Sequence, residues 1–206
     1  MFQYKGISIE WLGHCCFKII WDNQIIFIDP YLIYKEHEKA DVILITHEHV
    51  GHFSIPDIKE LSKPDTKIVC TERVATKIDA PFITIMHNNE TIKGENSSIQ
   101  AIPAYNLKSI IHQKGKDNGY IITIDKIRIY HTGDTDFTPE LANIKNIDIL
   151  MIPIKGRACM NLDQTLDFIH HTKPKIVIPM HYNPSIDRKL LQKFIHKIIN
   201  SKIKLG

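Results

Sequence analysis

Three imidazoles fall within six residues in Thr46-His47-Glu48-His49-Val50-Gly51-His52, directly after the apolar run Val42-Ile43-Leu44-Ile45. Neutral imidazole is the commonest protein ligand for a transition metal. A strand feeding a loop that carries His-x-His-x-x-His is therefore a candidate half of a metal site. The chain is rich in histidine, with 12 in 206 residues, and such a composition produces the pattern by accident in roughly 4 of 100 chains. Partners are needed elsewhere. Three further apolar runs end on groups of ligand or acid type, at Asp29, Asp134 and His181. Each has an ordinary alternative: Asp29 precedes a proline and suits a turn, Asp134 can cap Thr-Gly-Asp-Thr, and His181 can be a satisfied core histidine. Four buried strands whose polar ends meet one sheet edge would make a site where α/β proteins usually place one.

The elements that must position these residues follow from hydrophobic period and turn chemistry. Residues 7–12, 16–21 and 25–29 are expected as short strands with turns at Gly13-His14 and Asp22-Asn23, and residues 41–46 as a fourth, buried strand. Ser54-Ile55-Pro56-Asp57 starts a helix with a serine cap and an acid three positions on. Residues 67–70 and 82–85 are strands around a small helix begun at Thr71. Residues 98–103 form a strand, followed by a polar, flexible loop containing Gly115 and Gly119. A hairpin joins 120–124 to 127–131 through Asp125-Lys126, and Thr138-Pro139-Glu140 begins a helix. Residues 147–154 and 175–179 are apolar strands. Between them lies a helix capped by Asn161 and Gln164, with Leu162, Leu166 and Ile169 on one face. Ile186, Leu190, Phe194 and Ile198 mark a final amphipathic helix.

No linker, low-complexity segment or repeat interrupts the sequence, so one domain over residues 1–206 is expected. The class is α/β. Early hairpins followed by alternating strands and helices fit two sheets between helices better than one doubly wound sheet.

Composition narrows the function classes. The charge balance of 26 basic and 23 acidic residues, net +3, with 43% apolar residues is that of an ordinary globular protein. No basic tract points to nucleic acid, and no apolar run approaches membrane-spanning length. The start lacks a signal-peptide hydrophobic region, and Cys15, Cys16, Cys70 and Cys159 form no CxxC pair. Reduced thiols in a cytoplasmic protein are the expectation. The expected partner is a small-molecule substrate, with self-association left open.

The ordered set THEHVGH, HTGDTD and IPMHYN, preceded by WLGH and IDPY, resembles the metallo-β-lactamase superfamily. It is most similar to the small metal-dependent hydrolase branch related to the ascorbate-phosphate lactonases, with matching motifs from Ile9 to Asn183. The resemblance implies a four-layer αββα sandwich, the metallo-β-lactamase fold, with one or two divalent ions along a sheet edge, zinc in the first instance and manganese as the alternative. It gives His47 and His49 to a first metal, His52 and His181 to a second, and Asp134 to the bridging carboxylate. Many relatives have a further histidine near residue 106. Here Asn106 stands there, and His112 is the favoured replacement, the alternative being a substrate-facing histidine on a mobile loop. His14, which matches the branch's WLGH, and Asn106 are candidates for the substrate pocket. Arg157, in a stretch where the chain departs from its relatives, is a third candidate, for an anionic substrate, the alternative being a solvated side chain.

The chain leaves the family pattern at Gly51. The pattern is His-x-His-x-Asp-His, and the aspartate ordinarily ligates the second metal. Without it, His52, His181 and shared Asp134 still make three protein ligands with an open position, a workable catalytic count for zinc. The expected function is a metal-dependent hydrolase that activates water toward a small ester, lactone or phosphodiester, with Asp134 or His112 protonating the leaving group. The rival is a metal- or ligand-binding scaffold, its catalysis impaired by the loss of the aspartate.

Overall fold

Buried strands rich in isoleucine and valine are the material of both sheets in the computed structural model, which describes residues 1–199 and 204–206. Fourteen strands form among these residues, seven in each of two sheets. The chain divides into two compact units, Met1–Met86 and His87–Gly206, and each unit holds one sheet.

In the first unit, β1 (Phe2–Tyr4), β2 (Ile7–Gly13), β3 (Cys16–Trp21) and β4 (Gln24–Ile28) run antiparallel. The strands β5 (Val42–Leu44), β6 (Lys67–Cys70) and β7 (Ile83–Ile85) then continue parallel to β4. Parallel neighbours need crossovers. The helix α1 (Ile55–Leu61) lies in the crossover from β5 to β6, and the single turn α2 (Glu72–Ala75) in that from β6 to β7. Ser54 caps α1 by accepting from the Asp57 amide at 3.3 Å, as its sequence requires. Ile58 and Leu61 bury that helix against Phe27, Ile43, Ile45, Ile68 and Cys70.

The second unit repeats this plan. Here β8 (Thr91–Lys93), β9 (Ser97–Ala104), β10 (Asp117–Ile124) and β11 (Ile127–His131) are antiparallel. Then β12 (Ile149–Pro153), β13 (Ile176–Met180) and β14 (Lys204–Leu205) run parallel to β11. The crossovers are a 3-10 turn, Pro139–Asn143, and the helices α3 (Leu162–Thr172) and α4 (Arg188–Ile199). A reciprocal capping box opens α3: the Gln164 amide donates to the Asn161 side chain at 3.0 Å, and the Asn161 amide to the Gln164 side chain at 3.2 Å. Lys173 ends it in the left-handed region, at φ 47°.

Several expectations change. Gly119 is not in a loop; it lies inside β10, because the Thr132 carbonyl passes where a side chain would start, 2.6 Å from an ideal Cβ. The helix expected at Thr138 is only a 3-10 turn. The last helix begins at Arg188, leaving Ile186 exposed ahead of it. Strands β1, β8 and β14 are short edge pieces with little hydrophobic signal and were not expected. All four cysteines are buried, and none forms a disulfide. Among the described residues no helix is long and apolar enough to cross a membrane.

Candidate metal centre

In the first unit, parallel strands β4 and β5 end side by side, Ile28 opposite Leu44, and their next residues carry the polar groups. Asp29 and His47 are both fully buried. Asp29 turns out of β4 at φ 48°, a conformation that Asp tolerates better than most residues. Its Oδ1 accepts from the Thr46 amide at 2.8 Å. Its Oδ2 accepts from the Thr46 hydroxyl and faces His52 Nδ1, both at 2.7 Å.

These contacts set two tautomers. A carboxylate only accepts, so His52 Nδ1 carries a hydrogen and the Thr46 hydroxyl spends its own on Asp29. Thr46 Oγ1 is then the acceptor for His47 Nδ1, 2.9 Å away. In the neutral form that binds metal, both imidazoles then carry the ligating lone pair on Nε2. The His47 and His52 rings lie 4.0 Å apart between centroids, and His49 stands edge-on to His47 at 4.9 Å. One buried carboxylate thus orients two histidines of the cluster, the arrangement that protein metal sites use to fix ligand direction and basicity. Asp29 is therefore a positioning group, not a turn residue alone.

The second unit builds a comparable set. Strands β11, β12 and β13 are parallel neighbours, and the segments leaving them carry Asp134, Cys159 and His181. Gly133 donates its amide to His131 Nδ1 at 3.2 Å, which pins the turn before Asp134. His181, in the left-handed region at φ 58°, brings Nε2 to 3.0 Å from Asp134 Oδ2. Such a backbone conformation in a non-glycine residue is a cost that functional sites commonly carry. Cys159 donates its thiol to the Gly156 carbonyl at 2.9 Å and lies 3.6 Å from His181 Nδ1. The donor atoms of Asp134, Cys159 and His181 all lie within 4.8 Å of one another.

His112 joins this set from the loop between β9 and β10. Its carbonyl accepts from the Asn106 amide at 2.9 Å, and its Nδ1 faces buried Asp117 at 2.7 Å. The same logic leaves its lone pair on Nε2, 3.8 Å from Asp134 Oδ2. Two electron-pair donors facing each other at that distance suit a cation better than a direct contact. The residues of each unit therefore fit a divalent metal. In the first, His47 and His52 have Nδ1 anchored. In the second, His112 has Nδ1 anchored and Asp134 lies beside both it and His181.

The other two pocket candidates differ in burial. Asn106 is buried but donates its side-chain amide to the Ala158 carbonyl at 2.8 Å, tying two loops together. Arg157 is exposed. Of the histidines outside these motifs, His87, His170 and His196 are exposed. His37 and His171 are instead partly buried, with their rings against Phe27 and Phe137. Sequence reasoning missed Asp117 and Cys159, since neither belongs to a local ligand pattern.

Residues 8–181 match the Beta-lactamase superfamily domain. A relative from Nanoarchaeum equitans, named a UPF0173 metal-dependent hydrolase, is 33% identical over 188 residues, covering 86% of this chain and 84% of its own. A crystal structure from Parabacteroides distasonis is 31% identical with a TM-score of 0.87, covering 97% of this chain and 91% of that one. The metallo-β-lactamase fold protein YhfI of Bacillus subtilis, at 12% identity, has the same fold with a TM-score of 0.69 over 94% of this chain and 88% of its own. The fold is the expected metallo-β-lactamase α/β fold, and the chain belongs to the metallo-β-lactamase superfamily, among its small UPF0173 members.

Proposed function

We propose that this protein is a metal-dependent hydrolase that uses one or two divalent ions, zinc in the first instance, on a small ester, lactone or phosphodiester. His47, His49, His52, Asp134 and His181 are the proposed ligands, in one domain spanning both units. The observation that carries this reading is the anchoring of buried imidazoles by buried carboxylates: His52 on Asp29 and His112 on Asp117, each at 2.7 Å. A protein with no ligand to hold has little reason to bury two such pairs, because buried ionisable groups are costly unless paired and used.

A bound ion of this kind supplies a water of lowered pKa and polarises the scissile oxygen. The chain's own residues do the rest. Asp29 and Thr46 hold His47 and His52 in one tautomer. Asp117 does the same for His112 and keeps its Nε2 beside Asp134. Asp134 or His112 is the proposed group for taking the proton released by the attacking water and handing it to the leaving oxygen, and the buried surroundings of both limit exchange of that proton with solvent.

A second reading keeps the ligand set without catalysis, and Gly51 favours it, because no carboxylate is available at that position. Elemental analysis of the purified protein, with turnover of a panel of esters, lactones and phosphodiesters, separates the two. The hydrolase reading expects turnover that is lost on chelation, restored by added metal and abolished in His47→Ala. Bound metal with no turnover across the panel would leave the scaffold.

A further inference from the structure

Gly51 lies inside the histidine cluster at φ +105°, where only glycine rests without strain. A Cβ built there would sit 2.6 Å from His14 Nε2 and 2.7 Å from His14 Cδ2, closer than real Cβ atoms come to any neighbour. The space that a side chain at position 51 would enter is therefore filled by the imidazole of His14.

That imidazole is held in place by its turn. His14 joins β2 to β3 at φ 46°, beside a bulge between Trp11 and Gly13, and Trp11 Nε1 donates to its carbonyl at 3.0 Å. The next two residues, Cys15 and Cys16, are fully buried and fix the strand that follows. The ring stands edge-on to that of His52, with centroids 5.5 Å apart. The donor atoms of His14, Cys15 and His52 all lie within 4.8 Å of one another.

We propose that His14 replaces the missing aspartate as a ligand: its imidazole, delivered from the β2–β3 turn into the space over Gly51, binds the same ion as His52. The substitution is reciprocal. Glycine at 51 makes room for the ring, and the ring supplies the donor that glycine lacks. It also changes the site's chemistry, because a neutral nitrogen stands where the family pattern has an anionic oxygen. A set with more imidazole and less carboxylate favours zinc or other borderline metals over manganese. This inference rests on the metal-centre reading above.

Metal content of the purified protein, competition against a chromophoric chelator, and the visible spectrum of the cobalt-substituted form together test it. The wild type is expected to hold two ions. His14→Ala is expected to hold one tightly, with the second weakened by at least ~100-fold, the upper end for loss of a mere supporting contact. Millimolar imidazole should restore the second cobalt signal by filling the vacated place. Modification of the wild type by diethyl pyrocarbonate, read by mass spectrometry, does not depend on how a variant folds. Metal should protect His14, and chelation should expose it. Unchanged metal content and spectrum in His14→Ala, or equal His14 modification with and without metal, overturns the proposal alone. A wild type that takes up no ion overturns it together with the hydrolase reading.

Discussion

Asp29 contacts three donors, and substitution by asparagine shows what each contact does. The amide keeps the shape but turns one accepting oxygen into a donor. Facing His52, the new N–H group forces Nδ1 to accept and moves the ring hydrogen to Nε2, the ligating atom. Facing the Thr46 amide, it sets donor against donor. Either way one contact at 2.7–2.8 Å is lost. Asp29→Asn is expected to lower metal affinity by ~10–100-fold, as supporting carboxylates of ligating histidines do. It should also lower stability by about 1–3 kcal/mol, the cost of a buried group left unsatisfied. Chelator competition and urea unfolding measure the two effects, and unchanged affinity would mean that Asp29 supports the fold alone. Asp117→Asn should instead lower turnover through His112, by releasing the contact that keeps its Nε2 beside Asp134, without any change to a proposed ligand.

Elements position these residues, and two predictions belong at that scale. Gly119 lets β10 pass against the carbonyls of His131 and Thr132, which lie 2.9 and 2.6 Å from an added Cβ. Backbone cannot turn aside as a flexible side chain can. Gly119→Ala should therefore destabilise by about 1–3 kcal/mol, the usual cost of overpacking, and should loosen the Thr132-Gly133-Asp134 turn. Urea unfolding checks the first effect. The 3-10 turn is clamped by Glu140, which pairs with Lys114 and accepts from the Tyr105 hydroxyl at 2.6 Å. Lys114 first and Tyr105 second hold its carboxyl down from 4.5 to about 2. A carboxyl lowered on folding contributes stability above its ordinary value and loses it as pH falls through the lowered one. The clamp should thus fade between pH 4.5 and about 2. Glu140 is a third exposed and Lys114 two-thirds, so solvent screens the pair and its contribution to stability is small. Glu140→Gln should remove that part of the wild type's acid sensitivity, visible as a smaller loss of unfolding free energy across the window. Legibility in the sequence follows the same boundary between local and distant contacts. The histidine cluster, the helix caps and the apolar strands are local patterns, so they could be read directly. The pairing of Asp29 with His52, of His112 with Asp117, and of Gly51 with His14 depends on which turns come together. Gly119 looked like a loop residue because its reason, the Thr132 carbonyl, belongs to another strand.

For the whole molecule, the proposed ligand set takes His47, His49 and His52 from the first unit and Asp134 and His181 from the second. An ion that binds such a set favours the folded state by RT ln(1 + [M]/Kd), about 2.7 kcal/mol at a hundredfold excess over Kd. In a chain of this length that corresponds to a rise in Tm of roughly 5–10 °C. The two units should then share one cooperative transition when loaded, as a single domain requires. Chelation should lower that transition and reduce amide-exchange protection at the ends of β4 and β5 and of β11 and β13 together, since donors from both units lose their common ligand. If protection falls in one unit while the other keeps its exchange rates, the ion belongs to one ligand set alone. The single-domain reading would then lose its thermodynamic support, and the hydrolase reading would have to stand on His47, His49 and His52, or on Asp134 and His181, by themselves. Neither trio nor pair, with the additions available in its own unit, has the composition that the family pattern distributes across both. Coupled loss of protection is therefore the sharper test of a shared centre than loss of turnover, which a defect in either ligand set would produce.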